Sequence, residues 1–254
     1  MNDSPAFNKI LRLFRDELTR PEVRSMLTEL EAIAQHQREQ GRPLREDFGR
    51  EWENTHVLLE IDRKVESDGI HRVLDLGGGN SPVAYWLARR GFEVQVVDTD
   101  PAVVQAIRDN SANSSFSGQL GAALPIEGRW PAEDDSIDLA LSISVYEGIL
   151  RSERPGFWSE MRRVLRPGAS LLITFDFGPD ARFVGDPPTT LAEIERDLIE
   201  VSGMELVGPL PTVPDFDPLV GPPVKAIVPT VDGMDHRTLA YTFCALELRN
   251  PDSL

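Results

Sequence analysis

Residues 73–98 read VLDLGGGNSPVAYWLARRGFEVQVVD, and their order decides the fold. Val73-Leu74-Asp75-Leu76 is a short apolar strand of the kind buried in a parallel sheet. Gly77-Gly78-Gly79-Asn80-Ser81 turns the chain, Pro82 suits the first turn of a helix over Val83–Arg90, and Gly91 ends that helix. Val94-Gln95-Val96-Val97 forms a second strand, closed by Asp98. A strand, a glycine turn, a helix and an acid at the end of the next strand make a nucleotide-type site. Glycines let the backbone approach a ligand, the helix N-terminus offers free N–H groups, and the acid is placed for a ribose hydroxyl pair. The same residues also suit a plain tight turn and a helix-capping aspartate.

Downstream, the alternation continues. Pro101–Arg108 reads as a helix, Ala122–Glu127 as a third strand and Ile137–Ile143 as a fourth. A helix around Gly156–Leu165 precedes a fifth strand, Ser170–Phe175. Thr190–Val201 reads as a helix, Met204–Val207 as a sixth strand and Leu239–Leu248 as a seventh. The pattern predicts an α/β fold: a doubly wound, mostly parallel seven-stranded sheet with helices on both faces. No helix separates the last two strands, so the last should run antiparallel. Upstream, residues 1–66 read as a helical segment that packs on the domain formed by residues 67–254. Phe7, Ile10, Leu11, Phe14 and Leu18 recur at helical spacing, as do Val23, Met26, Leu27, Leu30 and Ile33. Gly41-Arg42-Pro43 interrupts the pattern, and Trp52, Val57, Leu58 and Ile61 resume it.

The chain has 254 residues, 41% of them hydrophobic and 27% charged, which suits one α/β core with a small appendage. Lys and Arg number 26 against 42 Asp and Glu, a formal net charge of −16. Such a balance repels phosphate backbones and anionic lipid, which argues against a nucleic-acid or membrane partner and for a small molecule. Cys244 stands alone, so neither an intramolecular disulfide nor a cysteine metal cluster is expected. The spacing of His36, His56, His71 and His236 predicts no metal site. The charged N-terminus lacks the apolar core of a signal peptide, and no stretch is apolar enough to span a bilayer. A reducing, cytoplasmic setting is the expectation. The oligomeric state is not legible.

The glycine turn departs from a dinucleotide fingerprint. Gly77-x-Gly79 is followed by Pro82 where a third glycine belongs, and Asp75 stands on the strand where it would crowd a diphosphate. Later segments fit another family. VLDLGGGNSP resembles the first motif of class I S-adenosylmethionine-dependent methyltransferases, in which an acid precedes Gly-x-Gly. VVDTDP resembles their second strand with its ribose-binding acid, and WPAEDDSIDLALSISVYEGI is similar to their fourth-strand pattern. MRRVLRPGASLLITF resembles the turn into their fifth strand. Four motifs in order span roughly residues 72–176. A plain tight turn would leave the later three unexplained.

The resemblance implies a role for each matching position. Asp75 would orient the methionine amino end, while Gly77, Gly78 and Gly79 let the backbone approach the methionine and ribose. Asp98 would take the ribose hydroxyls with Thr99 beside it. Glu127 would stand near the adenine amino group, and Ser142 would border the methionine through its backbone. Two departures stand out: Ser81 replaces the family's third glycine, and Gly148 replaces the histidine of its Glu-His pair. Arg50-Glu51-Trp52-Glu53 resembles a stretch that helps close the cofactor pocket in some small-molecule methyltransferases, through Arg50 or Trp52.

The acceptor should sit at the carboxyl ends of the strands. The connection over 208–237 is long, proline-rich and apolar (Val213, Phe216, Leu219, Val220), which suggests an acceptor-capping loop. The loop after Phe175, with Asp176, Asp180, Phe183 and Asp186, opens on the same face. Asp235-His236 offers a general base, a role a surface histidine pair need not fill. Tyr146 and Glu147 also follow the fourth strand and can border the substrate, or be structural. The expected activity is methyl transfer from S-adenosyl-L-methionine to an oxygen or nitrogen of a small molecule. The rivals are a NAD(P)-dependent oxidoreductase and a catalytically silent protein that keeps the cofactor fold as a partner subunit.

Overall fold

The computed structural model describes residues 7–11, 14–44, 50–113, 119–181, 185–213, 224–230, 233–239 and 241–252, the segments 224–230 and 233–239 by backbone. The chain starts with β1 (Lys9–Ile10), α1 (Phe14–Leu18), α2 (Pro21–Glu39) and α3 (Glu51–Asp68). β2 (Arg72–Leu76), α4 (Pro82–Arg89), β3 (Glu93–Val97), α5 (Pro101–Ala112) and β4 (Leu120–Ala123) follow. Next come β5 (Ile137–Ile143), a 3-10 turn (Tyr146–Gly148), α6 (Arg154–Val164) and β6 (Leu165–Phe177). The chain goes on through α7 (Leu191–Ile194), a π-helical stretch (Glu195–Glu200), β7 (Glu205–Leu206), a hairpin of β8 (Val224–Thr230) and β9 (Gly233–Leu239), and β10 (Thr242–Arg249).

The main sheet runs β1-β10-β6-β5-β2-β3-β4, with β7 also paired to β10. From β4 to β6 all pairings are parallel, and β10 is antiparallel to β6. This is the expected seven-stranded arrangement plus one strand. The chain winds outward from β2 to β4 and then returns beside β2 as β5. The edge between β2 and β5 is therefore the topological switch point, where a ligand crevice opens beyond the strand ends.

Alternating side chains feed two cores. Val73, Leu139, Leu141 and Leu172 enter one, shared with Met26, Leu30, Trp52 and Leu58 of the N-terminal helices. Leu74, Ala140, Leu171 and Ile173 enter the other, with Phe157, Trp158 and Met161 of α6. Each such side chain contributes about 1.5–3 kcal/mol by leaving water. Among the described residues no helix is long and apolar enough to cross a membrane.

Several boundaries differ from the sequence reading. Phe7, Ile10 and Leu11 do not begin a helix, because Lys9 and Ile10 pair with Ala245 and Cys244 on the outer edge of β10. β7 occupies the same edge further along, through Leu206 and Leu248. Asn8 joins the two: its Nδ2 donates to the carbonyls of Val207 (2.7 Å) and Pro209 (3.1 Å), and its Oδ1 accepts from the Glu247 N–H (2.8 Å). The third strand stops at Ala123, and Ile126 and Arg129 close a tight turn with reciprocal backbone hydrogen bonds. Glu127 sits in that turn at φ 51°, exposed to solvent. Leu239 ends the hairpin strand β9, so the final strand begins at Thr242.

Candidate functional site

Beyond β2 the chain must turn sharply to enter α4. Gly77 and Gly79 adopt left-handed φ of 60° and 63°, a region L side chains avoid. The Gly77 N–H bonds to the carbonyl of Val97 (2.8 Å), which ties the turn to the end of β3. A Cβ at Gly77 would lie 2.7 Å from Val145 Cγ2, so the turn packs against the chain leaving β5. A Cβ at Gly78 would lie 2.1 Å from Asp75 Oδ2, so the buried carboxylate reaches the turn only because Gly78 has no side chain.

Two recesses flank this turn and share Gly77. One is lined by Arg50, Asn54, Asp75, Gly78, Ser81 and Ser144. The other is lined by Val97, Asp98, Thr99, Pro125, Trp130 and Phe157, among others. The two recesses meet at Gly77; taken together as a groove, they hold a buried carboxylate on one side and the half-buried Asp98 on the other. Asp98 Oδ1 accepts from the Asp100 N–H (2.9 Å), which holds the carboxylate at the mouth of the groove.

The structure brings Asp75, Gly77, Gly78, Asp98 and Thr99 to this groove, with Gly79 in the same turn. Glu127 faces solvent, and its neighbours Pro125 and Trp130 line the groove. Ser142 is buried between Leu76 of β2 and Ile173 of β6, two residues before Ser144, which lines the groove. Arg50 lines the groove, whereas Trp52 stacks on His56 (centroids 4.8 Å), which itself stacks on Phe7. Tyr146 is buried under the Arg154 guanidinium, 4.4 Å from its ring centroid. His236 lies on β9 with its backbone opposite Ile227. Residues 214–223, including Phe216, Leu219 and Val220, lie outside the described residues, as does Phe183.

Next to Arg50 lies a buried acidic group, Glu53, Glu147 and Asp176, whose members the sequence names one by one but does not bring together. Glu53, from α3, accepts from the Thr174 hydroxyl (2.6 Å) and the Ser144 hydroxyl. Arg50 Nη1 donates to Glu53 Oε2 (3.2 Å) and lies 3.8 Å from Glu147 Oε1. These contacts hold Ser144 at φ 49°, a strained conformation costing about 1–3 kcal/mol. Burial and the nearby Asp176 and Glu53 carboxylates push Glu147 up to about 8. Burial and Glu53 push Asp176 up to about 7. Burial, with Asp176 adding to it, raises the Tyr241 hydroxyl to about 12. A pair of carboxyl groups titrating near neutrality can take up a proton there.

Residues 74–173 match the model of a methyltransferase domain family. The chain is 35% identical over 107 residues to an uncharacterized methyltransferase of Mycobacterium sp. (strain JLS), covering 42% of this chain and 39% of that protein. It is 33% identical over 115 residues to the methyltransferase GfsG of Streptomyces halstedii, covering 45% of this chain and 41% of that protein. The chain thus spans about two fifths of the length of the curated relatives it matches. In fold it is similar to a SAM-dependent methyltransferase from Methanosarcina mazei, with a TM-score of 0.53 at 16% identity, covering 76% of this chain and 98% of that one. The segment that matches the methyltransferase domain holds the glycine turn, both acids and the switch point, on a sheet with the Rossmann-like methyltransferase fold.

Proposed function

We propose that this chain transfers the methyl group of S-adenosylmethionine to an oxygen or nitrogen of a small molecule. The observation that carries the reading is the groove across the switch point of a methyltransferase domain, with Asp75 beneath Gly78 at one end and Asp98 at the other. These residues fit the cofactor: an ammonium group suits the buried carboxylate, and a ribose diol suits the half-buried one. Gly77, Gly78 and Gly79 supply close backbone, Thr99 flanks Asp98, and Pro125, Trp130 and Phe157 offer apolar surface to the base. When bound, the cofactor supplies a methyl carbon made electrophilic by its sulfonium sulfur.

The protein's own contribution is alignment and exclusion of water. Arg50, Asn54 and Ser144 border the groove where the acceptor would approach. β10 enters the sheet at this end, since Thr242 pairs with Phe177, and this supports a capping role for the connection over 208–237 that precedes it. We assign that connection the role of acceptor cap, with His236 as the base for a hydroxyl acceptor. The net charge of −16 supports a small molecule over a nucleic acid.

Thermal unfolding tests the reading, because a ligand that binds only the folded state raises Tm by mass action. S-adenosylhomocysteine should raise Tm while NAD and NADP leave it unchanged. Equal shifts from all three, or a shift from NAD alone, would reject methyl transfer.

A further inference from the structure

Glu147 is a buried acid beside the site with little to satisfy it among the described residues. It is 8% exposed, and neither of its oxygens accepts a hydrogen bond from any described residue. The turn that carries it is fixed from outside: the Asp186 N–H donates to the Glu147 carbonyl (2.9 Å), and Gly185 packs so closely on its Cβ that a side chain there would clash at 2.9 Å. Asp186 is itself held by a bidentate ion pair with Arg151 (2.6 and 2.9 Å). The chain therefore presses an acid into a buried position beside two other acids.

The groups facing Glu147 come from three elements. Asp176 lies next to the end of β6, Glu53 stands on α3 with Arg50 just before it, and Tyr241 precedes β10. Glu53 is satisfied by Ser144, Thr174 and Arg50. The guanidinium is nearer to Glu53 than to Glu147, at 3.2 Å against 3.8 Å. Glu147 and Asp176 are left as two acids with a share in one cation that already has a closer partner. Burial with so little compensation favours the protonated form of these acids, and folding alone gives no return for holding them there. A cationic donor entering beside Arg50 and Ser144 would complete the hydrogen bonding of Glu147 and lie close to Asp176.

We propose that Glu147 and Asp176, in the buried layer behind Arg50 and Ser144, form the receiving site for the amino group of a small-molecule acceptor. This rests on the methyl-transfer reading and narrows its acceptor to an amine. An arriving ammonium gives one proton to the ionised carboxylate of the pair, which frees the nitrogen lone pair. The lone pair forms a bond to the methyl carbon as the carbon–sulfur bond breaks, and the electron pair of that bond stays on sulfur. The products are a methylated ammonium, a neutral thioether and a protonated carboxyl group, which returns its proton to water. The pair titrates where such an exchange is feasible, since one member can be protonated while the other is ionised near neutral pH.

The test uses two ligands that differ at one place. Sinefungin is S-adenosylhomocysteine with the sulfur replaced by an amine-bearing carbon, so its ammonium stands where the transferred methyl would be. Calorimetry on the full chain at pH 8 should show sinefungin binding about ten- to hundredfold more tightly than S-adenosylhomocysteine. Glu147→Gln and Asp176→Asn should each cut that preference about tenfold while leaving S-adenosylhomocysteine within about threefold. S-adenosylhomocysteine binding without a preference for sinefungin in the unaltered protein would overturn the amine site and leave methyl transfer standing. A preference that survives both substitutions would also overturn it. Failure of both ligands to bind would remove the methyl-transfer reading and this inference together.

Discussion

A side chain at Gly78 cannot coexist with the Asp75 carboxylate as placed, since its first carbon would lie 2.1 Å from Oδ2. Under the proposed reading the two residues work as a unit: Asp75 meets the ligand, and Gly78 leaves room for its carboxyl group. Gly78→Ala should therefore displace Asp75 and remove a charge-assisted contact worth about 1.5–3 kcal/mol. S-adenosylhomocysteine affinity should fall about ten- to hundredfold in calorimetry. Unchanged affinity would show that Asp75 does not face the ligand.

Asp98 sits at the other end and is held by the Asp100 N–H rather than by a core contact. Asp98→Ala should weaken S-adenosylhomocysteine by a similar ten- to hundredfold, again as one charge-assisted hydrogen-bonding group lost. Its ligand-free Tm should stay within a few degrees of the parent. A large drop in Tm with normal affinity would make Asp98 structural.

The acidic pair makes a stability prediction with a definite sign. Glu147 moves from 4.5 to about 8 on folding, and Asp176 from 3.8 to about 7. The folded state therefore holds more protons than the unfolded chain across roughly pH 4 to 8, and stability contributed by these groups falls as pH rises through that window. Glu147→Gln should flatten the decline and raise Tm above that of the parent at pH 9, as read by calorimetric unfolding. A steeper decline in the variant would contradict the electrostatics assigned to the cluster.

At the far edge of the sheet, Asn8 makes three hydrogen bonds that bind β1 to the β7–β10 edge. Asn8→Ala should cost about 1–3 kcal/mol, because a partly buried N–H and carbonyl lose their partner. A fall in Tm of several degrees with intact ligand affinity is the expected pattern. No change in Tm would mean that β1 contributes little to the edge.

Much of the parallel sheet was legible because its strands are short apolar runs set between glycine, proline and helical patterns. β2, β3 and β5 fall within about a residue of where the sequence places them. β1 was not legible. Phe7, Ile10 and Leu11 have helical spacing, and only pairing with Ala245 and Cys244, far along the chain, makes a strand there. Glu127 was misread although Glu127-Gly128 carries a turn signal, since both residues take positive φ. Within the site, the glycine turn and Asp98 follow from local pattern. The Glu53–Glu147–Asp176 group does not, because its members come from three elements and its character depends on burial. An acid one helical turn after Arg50, as Glu53 is, was the available hint.

The central claim is that one ligand spans the groove from Asp75 to Asp98. A crystal structure of the chain with S-adenosylhomocysteine tests it most directly. The account predicts density with the amino group at the Asp75–Gly78 end, the ribose hydroxyls on Asp98 and the adenine against Pro125, Trp130 and Phe157. Density for the adenosine anywhere else, or a groove left empty at saturating ligand, would contradict it.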